Sequence, residues 1–170
     1  MIYQPAEDTL LLAKHIKKYT KGDILDMGAG SGYLAKIAQK NNANVLAADI
    51  SKQVVDNLKK QNISALKSNL FSNIKQSFDL IIFNPPYLPK DKNEPKDSAI
   101  ATTGGKKGNE IIIRFLKQAK KHLKKNGKIL LLFSSLTPDI IKAANKLGYN
   151  YKKLDEQSLF FEKIYVYLLY

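Results

Sequence analysis

The chain has 170 residues, 44% hydrophobic and 25% charged, the composition of one ordinary globular domain and not of a disordered tail, a coiled coil or a fibre. Cysteine is absent, which excludes disulfides and thiolate metal sites and makes a cytoplasmic setting the default. The net charge is +13, yet 27 of the 28 basic residues are lysines scattered along the chain, and Arg114 alone offers a guanidinium fork. A generic lysine-rich surface accounts for that charge better than a dedicated nucleic-acid face. The longest apolar runs, such as 129–133, are too short to span a bilayer, and Met1-Ile2-Tyr3-Gln4-Pro5 lacks a secretory pattern, so no membrane association is expected.

No repeat or linker interrupts the sequence, and residues 1–170 read as a single domain. Residues 9–18 form a helical pattern within an N-terminal cover over 1–20. Ile24-Leu25 is a first strand leading into a glycine-rich turn and a helix over 31–41. Residues 45–48 are a second strand, and Ser51 is placed to N-cap a helix running to about 61. Residues 63–66 make a short third strand. Residues 78–83, apolar almost throughout, make a fourth, as a strand buried on both faces requires. Residues 84–107 show no periodicity and many prolines and glycines, the pattern of a functional loop, here a substrate loop. Ile112, Leu116, Ala119 and Leu123 mark one helix face, which Asn126-Gly127 is expected to end. Residues 129–133 are a fifth strand, Thr137-Pro138 reads as an N-cap with a first-turn proline, and that helix stops at Gly148. The aromatic and β-branched runs in 149–170 predict a terminal hairpin. The fold class is α/β: a doubly wound, mostly parallel seven-stranded sheet with an antiparallel C-terminal edge hairpin.

Two motifs carry chemistry. Asp26-Met27-Gly28-Ala29-Gly30-Ser31-Gly32 joins a strand to a helix. The glycines, Gly28 and Gly30 foremost, permit a tight turn and close approach of a ligand to the backbone. A pyrophosphate turn is usually GxGxxG, but Tyr33 stands at the last position, and Asp26 would repel phosphate while accepting from an ammonium. S-adenosylmethionine suits this turn better than a nicotinamide dinucleotide. Asp49 ends the second strand, where a carboxylate normally takes both ribose hydroxyls. Alone, each feature is an ordinary turn and a solvated acid; together they point to an adenosine-type ligand.

The second motif, Asn84-Pro85-Pro86-Tyr87, follows the fourth strand at the carboxyl end of the sheet. Two prolines stiffen it, and Asn84, preceding a proline, is held extended. The corner offers an amide side chain, the Pro85 carbonyl and an aromatic face. That set fits a planar –NH2 nitrogen whose lone pair is delocalised. Asn84 Oδ1 and the Pro85 carbonyl accept its two hydrogens and stabilise the charge that grows on nitrogen during methyl transfer. Pro86 and Tyr87 pack on the flat group and orient it. As a plain structural feature, the corner would be a strand-ending turn with an asparagine cap.

With both motifs present, the chain resembles class I methyltransferases acting on exocyclic or amide nitrogen. More narrowly it resembles the short HemK-type protein-glutamine N5-methyltransferases of archaea and eukaryotes, which modify the Gly-Gly-Gln loop of class 1 translation release factors. The residues that carry the likeness are Tyr3-Gln4-Pro5-Ala6-Glu7-Asp8-Thr9, the stretch from Asp26 to Gly32, that from Phe78 to Leu88, and Gly104-Gly105-Lys106-Lys107-Gly108-Asn109-Glu110. About twenty residues precede the first strand, so the N-terminal helical domain of the bacterial enzymes is not expected, as in the short branch. The resemblance implies that Thr9, Asp26, Gly28, Asp49, Asn69, Leu70 and Asn84 contact S-adenosylmethionine, that Asn84 also holds the substrate glutamine, and that S-adenosylhomocysteine is the product. It also implies a small zinc-ribbon activator pairing with the sheet edge near 63–66. Family members usually carry aspartate where Asn69 stands, which implies weaker cofactor binding here.

Two alternatives stay open. An amino-adenine methyltransferase on DNA or RNA would use the same corner, and the +13 charge favours it, although there is no recognition domain and one arginine. A non-catalytic basic binding module would not need the intact corner. His15 and His122 stand alone on predicted helices and read as surface or capping residues, and no metal cluster is expected. Asp91, Glu94 and Asp97 read as solvated loop residues, and Asp79 as structural.

Overall fold

The computed structural model describes residues 6–90 and 102–170; Tyr3-Gln4-Pro5 and the loop acids Asp91, Glu94 and Asp97 lie outside the described residues. In chain order the elements are α1 (Glu7–Tyr19), β1 (Asp23–Met27), α2 (Tyr33–Lys40), β2 (Asn44–Asp49), α3 (Lys52–Lys60), β3 (Ser64–Lys67) and β4 (Phe78–Phe83). There follow the short β5 (Leu88–Pro89) and β6 (Thr103–Gly105), then α4 (Glu110–Ala119), β7 (Leu123–Ser134), α5 (Ile140–Lys146), β8 (Tyr151–Ser158) and β9 (Lys163–Leu169). Among the described residues seven strands form one sheet in the order β3-β2-β1-β4-β7-β9-β8. The first five run parallel, and β9 and β8 are antiparallel. This is the doubly wound sheet with an antiparallel edge hairpin that the sequence predicts.

Strand side chains alternate between two cores, as a period of two requires. Ile24, Leu80, Ile82, Leu130 and Leu132 pack with α1, α2 and α3 on one face. Leu25, Ile81, Phe83, Ile129 and Leu131 pack with α4 and α5 on the other. Helix α3 is capped as expected: Ser51 Oγ accepts from Val54 N at 3.3 Å. Helix α1 is tied to the hairpin by His15 Nε2 and Asp155 Oδ2, 3.0 Å apart, so His15 is a strut and neither a surface nor a capping residue. At the other end of the sheet Lys124 Nζ bridges Asp23 and Asp79, which confirms a structural role for Asp79.

Three local expectations fail for physical reasons. The helix read through Leu123 ends at Ala119, followed by a 3-10 turn over Lys120–His122, and Leu123 starts β7 opposite Phe78. Its helical spacing is a coincidence of step. Asn126-Gly127 is then a bend inside β7, not a helix stop. Asn126 has φ +67°, and a Cβ on Gly127 would stand 2.8 Å from the Phe78 carbonyl oxygen. Finally, Thr137 caps no helix. Helix α5 begins at Ile140, after Asp139 in a left-handed conformation, and the Thr137 hydroxyl accepts from Ser134 N and donates to the Tyr87 carbonyl.

Candidate active site

The carboxyl ends of β1, β2 and β4 open onto a cavity of about 610 Å³, the size of a small-molecule site. The glycine turn forms its floor. Gly28 and Ala29 donate from their backbone nitrogens to the Ala48 carbonyl at 2.7 and 3.2 Å, stitching the turn to β2. Gly28 and Gly32 hold φ of +66° and +80°, and a Cβ on Gly32 would lie 2.5 Å from Leu58 and 2.8 Å from Ile63. Glycine is required there both by the dihedral and by the packing of α2 onto α3.

Asp49 faces the cavity from the end of β2. Its Oδ2 accepts from Gly30 N at 3.1 Å and its Oδ1 from Ser51 N at 2.9 Å, so the carboxylate is fixed while lone pairs remain for a diol. Asn69 and Leu70 line the wall after β3. Ser68, 2% exposed, shapes that wall: its hydroxyl donates to the Leu70 carbonyl at 2.6 Å and accepts from Asn73 N at 3.1 Å, with Leu70 at φ +51°. Asn69 Oδ1 accepts from the guanidinium of Arg114, the sole arginine, at 3.1 Å.

Asp26 is not among the residues that line the cavity. It lies behind the turn, 1% exposed, with Oδ2 lacking a hydrogen-bond partner among the described residues. Burial pushes its carboxyl up to about 7, the Ala35 N–H opposes the rise, and Asp49 adds to it. A buried carboxylate with one oxygen left without a partner among the described residues suits a cationic ligand above the turn and repels a phosphate.

The Asn84-Pro85-Pro86-Tyr87 corner forms the opposite wall, and all four residues line the cavity, with Thr9 and Asp8 of α1 beside them. Asn84 Nδ2 donates to Asp8 Oδ2 at 3.2 Å and to Thr9 Oγ1 at 3.1 Å. Thr9 Oγ1 donates to Asp8 Oδ1 at 3.3 Å, and Tyr87 Oη to Asp8 Oδ2 at 3.4 Å. An ionised carboxylate only accepts, so Asp8 dictates which end of the Asn84 amide faces it. Asn84 Oδ1 is left buried and without a partner among the described residues. Beyond the corner, β5 and β6 pair in parallel.

The model of the methyltransferase small domain matches residues 6–146. A putative protein N5-glutamine methyltransferase of Methanocaldococcus jannaschii is 36% identical, with 97% of this chain and 89% of that protein covered. The chain belongs to the methyltransferase small-domain family. The release factor glutamine methyltransferase of Lactococcus lactis is 34% identical over 72% of this chain but only 50% of its own length. The structure of the E. cuniculi Mtq2-Trm112 complex, which methylates the eRF1 translation termination factor, superposes with a TM-score of 0.80 at 24% identity, covering 98% of this chain and 96% of that one.

The site of this methyltransferase thus gathers Thr9, Gly28, Gly30, Asp49, Asn69, Leu70, Asn84, Pro85, Pro86 and Tyr87 around one cavity, with Asp26 behind it. Sequence reasoning named the Asp8-Thr9 pair but gave Asp8 no part. An acid in the first turn of a helix is also what the helix dipole favours, so nothing local distinguished it. In the sequence Arg114 stands out only as the exception to lysine, and no local pattern announces its pairing with Asn69. Among the described residues no group of His, Asp and Glu could hold a metal, and no helix is long and apolar enough to cross a membrane.

Proposed function

We propose that the protein transfers a methyl group from S-adenosylmethionine to the side-chain amide nitrogen of a protein glutamine, that of the Gly-Gly-Gln loop of a class 1 release factor. The observation that carries this reading is Asn84 Oδ1, a buried acceptor without a partner among the described residues, on a corner whose residues Asn84 to Tyr87 all line the cavity. Bound S-adenosylmethionine supplies an electrophilic methyl on a positive sulfonium. Asp49 holds the ribose diol, Gly28 and Gly30 admit the amino-acid end, Thr9 and Leu70 close the sides, and Asn69 meets the adenine edge. Asn84 Oδ1 and the Pro85 carbonyl accept the two amide hydrogens and steady the positive charge that develops on nitrogen. Tyr87 and Pro86 hold the amide plane. One N–C bond forms, one S–C bond breaks, and a proton leaves the nitrogen after transfer, so no general base precedes it.

The names of the archaeal and bacterial relatives support this substrate over an adenine amino group. Among the described residues β3 (Ser64–Lys67) is the outer strand of the sheet, which supports strand addition by a small zinc-ribbon activator. A cytoplasmic setting follows from such a substrate. The test uses labelled methyl donor with the chain, with and without the activator. The acceptors are a release factor, its Gly-Gly-Gln→Gly-Gly-Asn variant, total RNA and DNA. Label on the wild-type release factor alone is expected, and Asn84→Ala lowers turnover by on the order of a hundred-fold, as loss of one preorganised partner does. Label on nucleic acid instead would overturn the reading.

A further inference from the structure

Strand β7 outruns its parallel neighbours. Phe83, the last residue of β4, pairs with Leu131, whereas β7 continues to Ser134, opposite Ile164 of β9. Those extra residues raise the β8–β9 turn about 10 Å above the level of Asn84, and two strand spacings set it about 10 Å to the side. The turn is closed by Leu159 N donating to the Glu162 carbonyl at 2.8 Å. At its tip Phe160 is 100% exposed and Phe161 93% exposed, their ring centroids 6.3 Å apart. Leu136, 43% exposed, stands beside the base of the turn.

The tip is coupled to the substrate corner. Ser135 N donates to the Lys163 carbonyl at 2.7 Å, and Lys163 N donates to Ser135 Oγ at 3.0 Å. Two residues on, Thr137 Oγ1 donates to the Tyr87 carbonyl at 3.1 Å. Hydrogen bonds thus link the base of the aromatic tip to the corner.

We propose that the Phe160–Phe161 tip is a docking anchor for the folded protein substrate, seated in an apolar hollow of that protein close to the methylated glutamine. This rests on the reading of the substrate as a protein. Two phenylalanine side chains bring at most a few hundred Å², well short of the roughly 800 Å² per partner of a standard interface. That is too little for a dimer by itself, and it suits an aromatic hot spot added to the contact at the cavity. The activator edge at β3 is the far side of the sheet from β9 and β8, so both partners fit at once.

The test compares wild-type chain with the Phe160→Ser/Phe161→Ser double variant, both with the activator. The acceptors are intact release factor and a Gly-Gly-Gln tripeptide with blocked ends, too short to reach the tip. The double variant is expected to raise KM for the release factor by about tenfold or more, with kcat changed less than about twofold. Peptide kinetics and S-adenosylmethionine affinity stay at wild-type values, which shows the fold intact. If the wild type methylates the release factor and the double variant does so with the same KM, the anchor is refuted and the proposed function stands. If the wild type methylates neither acceptor, the function falls and the anchor with it. An equal loss on peptide and protein places the tip in the catalytic cavity, and a wild-type dimer that the variant abolishes makes it a self-association surface; either result overturns the proposal.

Discussion

Asp8 is placed to act on the proposed chemistry through Asn84 and Tyr87 without touching the reacting atoms. It is 7% exposed and accepts from Thr9 N at 2.6 Å, from Asn84 Nδ2 and from Tyr87 Oη. Asp8→Ala removes the acceptor-only group that holds the nitrogen end of the Asn84 amide. The two ends of the amide then compete for the same direction, and the wrong end places a donor against the substrate –NH2. A hydrogen bond to a charged group is worth about 1.5–3 kcal/mol, which corresponds to a loss in kcat of roughly ten- to a hundred-fold. Asp8→Asn can still present a carbonyl to Asn84 and should lose less than about tenfold. Single-turnover transfer to the release factor reads kcat, and calorimetry reads cofactor affinity, which should move less than about threefold because the ribose and turn contacts remain. The double variant Asp8→Ala/Asn84→Ala should be no slower than Asn84→Ala alone, since both act through one amide. Wild-type kcat in Asp8→Ala, or simple additivity with Asn84→Ala, would refute this account.

Asp49→Ala should raise the cofactor dissociation constant by about tenfold or more, read by calorimetry, because a carboxylate accepting from a diol is lost; unchanged affinity would mean that the ribose lies elsewhere. Asn69→Asp should tighten cofactor binding by about fivefold, since a charged acceptor replaces a neutral one beside Arg114; equal or weaker binding would show that the Arg114 pair holds the side chain away from the ligand. Burial raises the Asp26 carboxyl to about 7, so its neutral form suits the fold. The stability this gives is complete below the unfolded value near 4 and is lost as pH climbs through about 7. The wild-type Tm without cofactor should therefore fall over that window relative to Asp26→Asn, and parallel Tm curves for the two proteins would contradict it.

Much of the fold was legible because local and global signals agree in it. The apolar run Phe78–Phe83 is buried as a central strand, Ser51 caps α3, and three glycines of the turn occupy positive φ. The boundaries that failed lie where tertiary contacts override a local pattern. Leu123 keeps helical step with Leu116 and Ala119, yet pairing with Phe78 draws it into the sheet. The lining of the cavity was legible where residue type alone suggests chemistry, as at Asn84, Pro85 and Asp49. It was not legible where a side chain works through another one. Asp8 lies 76 positions from Asn84, and Asn69 lies 45 from Arg114, and no local pattern links partners so far apart.

Thr137 shows how such a hidden contact bears on catalysis. Followed by a proline, it has the look of a helix cap, but the helix starts later and the hydroxyl is held elsewhere. It donates to the carbonyl of Tyr87, the residue proposed to orient the substrate plane, and its own nitrogen donates to the Ser134 carbonyl at 3.0 Å. The end of β7 is thereby braced against the end of the corner. Thr137→Val keeps the volume and removes the donor, so the Tyr87 carbonyl loses this partner in a site where Thr137 is 5% exposed. The expected cost is about 1–2 kcal/mol of stability, with kcat lowered several-fold, because a corner free to shift no longer holds the amide in line. Thr137→Ser retains the hydroxyl and should keep kcat near wild type at a small cost in packing. Thermal unfolding and single-turnover rates on the pair separate the hydroxyl from the methyl. If valine matches wild type in rate while losing stability, the contact braces the fold and leaves the chemistry untouched.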